Sequence, residues 1–437
     1  MGSVVKVKRV RMSNGEMYSI LTDEEGMPLT YPNLFVTINH RNASDASNTC
    51  FAVYERIIFL YEICDFLNID LVQRCLTGDF LSRSEMESLA LWARRKVNSF
   101  REHVEKQKSK KVVSIQPKRK KLETARATFV INDNGNVASS TAYNRLTSFA
   151  EYIGWLEKTV FPTKNSSSED VLKSLRPRKF SAESNVENFE ENYKSLTINQ
   201  MTKVLDVVRP ESPENPCKNK SLKYRNQLIV NLFEATGCRR GELLKIRIQD
   251  IKTSPKNGRR YLTLRSKVDL EDNRSDRPEG KTLSRNVPLD KRLVDMYEDY
   301  LLYHRSEAKG VEHIPYLFVT HNHRTSVNNA LSLASVNKLC RQISSVVGFR
   351  VHPHTFRHTW NDRFSEHADK QIAKGEVSPA KSESDRQKLM GWSEGSKMAL
   401  HYSRRHSDKR AFEVGLKLQE EGSRRIDTTL EKTDNPL

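Results

Sequence analysis

Cysteine is scarce in this chain of 437 residues. Cys50, Cys64, Cys75, Cys217, Cys238 and Cys340 are scattered, with no Cys-x-x-Cys pair among them. That spacing excludes a disulfide framework and a zinc ribbon. Long apolar runs are missing as well. None approaches the roughly 20 residues of a membrane span, so no membrane partner is expected. The start, Met1-Gly2-Ser3-Val4-Val5-Lys6, lacks the apolar stretch of a signal peptide and the Ser or Thr of a myristoylation site. Internal repeats and long low-complexity tracts are also absent. These absences leave a reducing cytoplasm, nucleoid included, as the expected location.

What the chain does have is positive charge. Lys and Arg number 73 against 55 Asp and Glu, a formal net charge of +18. Such an excess favours a polyanionic partner, most simply DNA or RNA. Apolar residues make up 37% and charged residues 29%, enough for a buried core under a soluble surface. The length exceeds what one core organises and points to two or three domains.

Residues 1–32 are polar and mixed, with Lys6, Lys8, Arg9 and Arg11 close together, and read as a short strand or a loose arm. From 49 to 71 apolar residues recur at three- and four-residue steps, the spacing of a helix. Ser82 with Glu85 three residues on forms a capping box for a second helix ending near Arg94. Residues 106–121 are basic, with Lys118, Arg119 and Lys120, and read either as a solvated loop or as a connection tracking a nucleic-acid backbone. A helix opens near Ser140, where Arg145 is a candidate phosphate contact. Residues 163–192 have the composition of a linker. Beyond it Thr197 caps a helix, and a longer one runs from Tyr224 to Ala235 and breaks at Thr236-Gly237. Residues 261–264 and 286–289 read as paired strands, and the charged stretch 268–285 between them as a mobile hairpin tip. Further helices are expected near 290–304, 335–346, 357–370 and 384–391. The expected class is mainly α with a small antiparallel β-sheet.

Certain residues suit chemistry at a phosphodiester. Charge spreads over the non-bridging oxygens during displacement, and a guanidinium offers a planar fork of donors to them. Arg239 follows a glycine turn at a helix start, and Arg357 follows His354 by three residues near Pro353. Each arginine at a pre-organised site is worth roughly 3 kcal/mol of transition-state stabilisation. Tyr402, with a free pKa of about 10, is a nucleophile once a base or cations favour its phenolate. His354 can take that proton. A lysine on the hairpin, Lys267 or alternatively Lys281, can protonate the leaving oxygen. This scheme needs no metal and no cofactor. His352, His354 and His358 resemble a metal cluster, but they straddle a proline and a helix start with no carboxylate or Cys at ligand spacing. Gly280-Lys281-Thr282 echoes a phosphate loop, yet Ser275 stands where that motif needs glycine.

Together the segments resemble the tyrosine recombinases, the phage-integrase family. Thr236-Gly237-Cys238-Arg239-Arg240-Gly241-Glu242-Leu243 resembles that family's first-arginine box, and His354-Thr355-Phe356-Arg357-His358 its His-x-x-Arg box. Leu389-Met390-Gly391-Trp392, shortly before Tyr402, resembles the segment leading to the nucleophile. The resemblance implies a two-domain, C-shaped clamp on double-stranded DNA. It would comprise a helical core-binding domain at 33–190, a catalytic domain at 196–412 and a tail at 413–437 exchanged between protomers. Ala411, Phe412, Val414, Leu416 and Leu418 are the candidate docking residues of the exchanged C-terminal segment. It implies that Tyr402 forms a 3′-phosphotyrosyl bond, that Arg239 and Arg357 bind the non-bridging oxygens, and that His354 and Lys267 move protons. Trp392 stands where many members have histidine, and Glu242 and His358 would be supporting residues. A homotetramer on paired sites, with DNA-bending accessory proteins, would integrate or excise a mobile element. Type IB topoisomerase-like relaxation and catalytically silent DNA binding are the alternative functions.

Overall fold

The computed structural model describes residues 5–108, 135–177, 194–274, 277–278, 280, 282–321, 329–396, 398 and 404–433, with the side chains of 404–405 and 422–433 outside it. The chain divides into two compact units, Met1–Phe189 and Glu190–Leu437.

The first unit opens with a hairpin. β1 (Lys6–Arg11) and β2 (Met17–Thr22) pair antiparallel from Lys6↔Thr22 to Arg11↔Met17. Leu21 is fully buried in the helical core and Val5 and Val7 pack against it, so this stretch is strand rather than arm. The helices are α1 (Thr30–Val36), α2 (Ser47–Phe66), α3 (Leu71–Thr77), α4 (Arg83–Ala93), α5 (Val97–Lys108), α6 (Ser139–Val160) and α7 (Ser168–Ser174). Tyr54, Ile57, Leu60 and Ile63 of α2 and Leu146, Phe149, Tyr152 and Ile153 of α6 have no exposed surface. Aromatics at helical spacing therefore serve the core. Tyr61 and Tyr152 satisfy each other's hydroxyls across it at 2.5 Å. The capping box expected at Ser82 and Glu85 is present.

Arg145, the candidate phosphate contact, is tied to the end of a helix. Its Nη1 donates to the carbonyls of Ala93 (3.0 Å) and Arg95 (2.6 Å), and its guanidinium stacks 4.7 Å from the Phe59 ring. The C-terminal carbonyls of α4 lack intrahelical donors, and this cation satisfies them.

In the second unit α8 (Ile198–Val207) is capped by Thr197, as expected, with Gln200 completing a capping box. α9 (Lys220–Thr236) ends where Gly237 takes a left-handed conformation, φ +56°. The short α10 (Arg240–Leu244) follows. β3 (Ile251–Thr253), β4 (Arg260–Leu264) and β5 (Arg285–Pro288) form an antiparallel sheet in the order β3-β4-β5, with Ile251↔Leu262 and Leu262↔Val287 in register. β3 is too short to show alternation, so only its two partners were legible. After the sheet come α11 (Lys291–Asp299), α12 (Leu333–Val347), α13 (Pro353–Ala373), α14 (Pro379–Met390) and α15 (Arg404–Thr433). α13 begins earlier than expected because Pro353 occupies its first turn, where a missing N–H costs nothing.

The stretch between β4 and β5 is not the mobile tip expected of it: its described residues pack. Asp272 is buried and pairs with Arg274 at 2.6 Å. Arg274 also donates to Leu331 O (2.7 Å) and Leu244 O (3.2 Å), and Asp269 accepts from Arg247 and from Tyr316 Oη. A charged sequence reads as solvated, but here Asp269, Asp272 and Arg274 find opposite charges, a hydroxyl or carbonyls within the fold.

One stack fixes α13 against α9. Phe233 and Phe356 are buried with ring centroids 5.4 Å apart and planes 4° from parallel. Trp360 Nε1 donates to Ala235 O (3.0 Å), and Leu196 N donates to Thr359 Oγ1 (2.8 Å). Replacing Phe356 with Ala leaves a cavity under both arginine-bearing segments. Phe356→Ala is expected to lower the unit's stability by about 3–5 kcal/mol in urea titration; a loss below about 1 kcal/mol would show that the stack is not the anchor.

Candidate active site

Arg357 lies one turn into α13, and it has no exposed surface at all. Its Nη1 donates to Gly237 O at 2.8 Å and its Nη2 to Met390 O at 3.2 Å. Its Cζ lies 5.6 Å from the Trp392 ring. One buried cation thus touches the turn after α9, the end of α14 and the tryptophan that follows. Gly237 meets two demands there: its positive φ, and a Cβ position only 2.8 Å from Trp360 Cγ. Gly391 is equally constrained. Its φ is +65°, and a Cβ would stand 2.6 Å from Leu283 O and 2.8 Å from Arg285 Nη1. Leu283 N donates to Gly391 O at 2.8 Å, which ties this segment to the strand β5 hairpin.

Arg239 is the N-cap of α10, with its side chain 16% exposed. Its Nη1 is buried and makes no hydrogen bond among the described residues, although Glu242 Oε1 lies 3.7 Å away. Glu242 is itself buried. Its carboxylate accepts from Arg239 N (2.9 Å), Arg285 Nη2 (2.9 Å), Arg285 Nη1 (3.3 Å) and Thr282 Oγ1. Burial opposes its charge, but the hydrogen bonds and charge of Arg285, then Thr282 and the Arg239 amide, win and hold the carboxyl at about 2. Arg285 and Thr282 were missed from sequence. A signal existed for Arg285: it shares the inward-facing parity of Val287, so a charge there needed a buried partner.

His354 sits in the first turn of α13, exposed at the site. Partial desolvation, then the charges of His352, Arg239, Arg357 and Arg240, push its pKa down to about 4. The ring is neutral at pH 7 and can accept a proton. His358 is buried behind it. Trp392 is buried in a small cluster with Met390, Trp360 and Met398. Lys267 is exposed at the end of β4, where the buried Lys245, also missed from sequence, holds its backbone carbonyl at 3.1 Å. Beside the start of α13 runs a groove of about 720 Å³ lined in part by Asn337, Arg341, Ser344, Arg350 and His352. Tyr402, Lys281, Lys118, Arg119 and Lys120 lie outside the described residues. Among the described residues no three His, Cys, Asp or Glu side chains gather as a metal site would need.

So Arg239, Glu242, His354, Arg357 and Trp392 come together, with a buried donor of Arg239 unsatisfied and a neutral imidazole beside two guanidiniums. Residues 194–374, which hold Arg239, Glu242, His354 and Arg357 but not Trp392, match the phage integrase family. They form a phage integrase family domain. Tyrosine recombinase XerA of Pyrococcus furiosus is 26% identical to the chain over 167 residues, 38% of this chain and 46% of XerA. Transposase A from transposon Tn554 of Staphylococcus aureus is 28% identical over 226 residues, 50% of this chain and 56% of the transposase. The chain thus spans about half the length of the curated relatives it matches. Among solved structures, a post-cleavage complex of XerH site-specific recombinase bound to palindromic difH substrate has a TM-score of 0.48 and 18% identity. That match covers 80% of this chain and 89% of XerH.

Three outcomes are expected in this domain. Arg285→Met strands the Glu242 carboxylate and is expected to cost about 3–5 kcal/mol, most of it recovered when Glu242→Gln is added; urea titration of the double-mutant cycle measures this. Glu242 titrates near 2 when folded against about 4.5 as a free group, so its contribution to stability is full above pH 4.5 and disappears as pH falls toward 2. His354 is expected to titrate near 4 by NMR in the free protein. A midpoint near the free value of about 6.5 would contradict the site's geometry.

Proposed function

We propose that this chain is a tyrosine-type site-specific recombinase that cuts and rejoins duplex DNA through a 3′-phosphotyrosyl intermediate. The observation that carries the reading is the convergence of Arg239, Arg357 and a neutral His354 within a phage integrase family domain. The printed names of the two relatives, a tyrosine recombinase and a transposon's transposase, support integration or excision of a mobile element. The formal charge of +18 and the arginine-lined groove fit a polyanion.

In this reaction the scissile phosphate meets the unsatisfied donor of Arg239, while Arg357 adds its charge from beneath. The Tyr402 Oη–phosphorus bond forms and the phosphorus–O5′ bond breaks. His354 takes the phenolic proton, which a ring with a pKa of about 4 does when the phosphate's negative charge draws close. The Lys267 ammonium gives a proton to the departing 5′-oxygen, and attack by that hydroxyl of a partner strand reverses each transfer. Trp392 packs on Arg357 rather than moving protons. Lys118, Arg119 and Lys120 belong to the part that follows the duplex backbone. The enzyme works as a homotetramer on paired sites, aided by proteins that bend DNA. Phe412, Val414, Leu416 and Leu418, exposed along α15, are the surface exchanged between protomers.

The test is a trap with nicked duplexes made from the borders of the element around the gene, in EDTA. A denaturant-resistant adduct is expected for the natural protein. Tyr402→Phe is expected to bind the same duplex with unchanged affinity and form none. Equal adducts from Tyr402→Phe, or loss of the adduct in EDTA, would end this reading.

A further inference from the structure

Lys245 follows the last residue of α10, and only 4% of it is exposed. A buried ammonium requires acceptors, and two of those here are consecutive backbone carbonyls. Nζ donates to Ser266 O at 3.0 Å and to Lys267 O at 3.1 Å. The two limbs of the β4–β5 insert also meet at this point. A Cβ on Gly280 would stand 2.2 Å from Ser266 O and 2.9 Å from Lys245 Nζ, so only glycine fits. Two further contacts tie the insert to the same short helix. Arg274 Nη2 reaches Leu244 O at 3.2 Å, and Arg285 reaches Glu242 at 2.9 Å. That helix begins immediately after Arg239. The Lys267 side chain, by contrast, is exposed and makes no hydrogen bond or ion pair among the described residues. Its backbone is fixed relative to the Arg239 helix while its four-carbon stem stays free to swing.

We propose that Lys245 is a positioning residue for the general-acid step: by gripping the carbonyls of Ser266 and Lys267 it presents the Lys267 ammonium to the leaving 5′-oxygen. The proposal rests on the strand-cleavage reading above. In that step the Tyr402 Oη–phosphorus bond forms, the phosphorus–O5′ bond breaks and O5′ takes one proton from Lys267, which becomes a neutral amine. Lys245 exchanges no proton; it donates to two backbone carbonyls.

The test compares two nicked duplexes that differ by one atom at the scissile phosphate, a bridging 5′-oxygen or a bridging 5′-sulfur. A thiolate, with a conjugate-acid pKa of about 8.5, leaves without the proton that an alkoxide needs. Lys245→Met is expected to slow adduct formation by about 100-fold or more on the oxygen duplex and by less than about threefold on the sulfur duplex. Lys267→Met is expected to show the same pattern, and Lys245→Arg, which keeps N–H donors for the two carbonyls, to restore part of the rate. Gly280→Ala, which keeps both lysines but presses on Ser266 O and Lys245 Nζ where they meet, is expected to reproduce the oxygen-specific defect. It decides the matter, with the exposed Lys267→Met, if Lys245→Met does not fold. Equal losses on both duplexes would make Lys245 a general structural residue and overturn the proposal. Unchanged rates on both, or an oxygen-specific defect in Lys281→Met but not Lys267→Met, would overturn it too. If the natural protein forms an adduct on neither duplex, the cleavage reading itself has failed.

Discussion

A guanidinium sealed from water has to place its N–H groups on protein acceptors, and Arg357 places them on the carbonyls of Gly237 and Met390. Those carbonyls belong to segments that the sequence holds far apart. Each is available only because the chain turns sharply beside it, at Gly237 and at Gly391, both in left-handed conformations. If Arg357 were lost, two carbonyls and the face of Trp392 would lose their cation together. The site is therefore a junction first and a binding surface second, and its positive charge is part of what holds the junction closed.

The second buried charge works behind Arg239. Glu242 orients the backbone at the helix start through the Arg239 amide, and its own charge is sustained by Arg285 from the sheet. Arg285 also crowds Gly391, so sheet, arginine box and the end of α14 share one set of contacts. An ion pair of this kind adds little net stability compared with apolar packing, but removing either partner alone is expensive. It fixes geometry, which is what a reaction sensitive to displacements of about an ångström requires.

Positive groups outnumber negative ones around His354. Burial first, then His352, Arg239, Arg357 and Arg240, depress the pKa of His354, while Glu242, the compensating carboxylate, is turned inward and already paired. A cluster with its anion missing is a cluster prepared for one. Burial and this cluster together keep the His354 imidazole neutral well below the pH at which a free histidine would charge.

The sequence by itself determined the helical class, the capping boxes at Ser82 and Thr197, the two paired strands and the Arg239, His354, Arg357 and Trp392 segments. Each of these depends on short-range signals: periodicity, a cap three residues from its partner, a glycine at a break, a recognisable spacing. Only the tertiary structure decided that Arg145 closes a helix end. It likewise decided that the charged insert packs through Asp272 and Arg274, and that Lys245 and Arg285 belong to the site's support. A charged side chain looks the same in sequence whether it faces water, a phosphate or a buried carbonyl. Which of these it meets is fixed by acceptors that arrive from other parts of the chain.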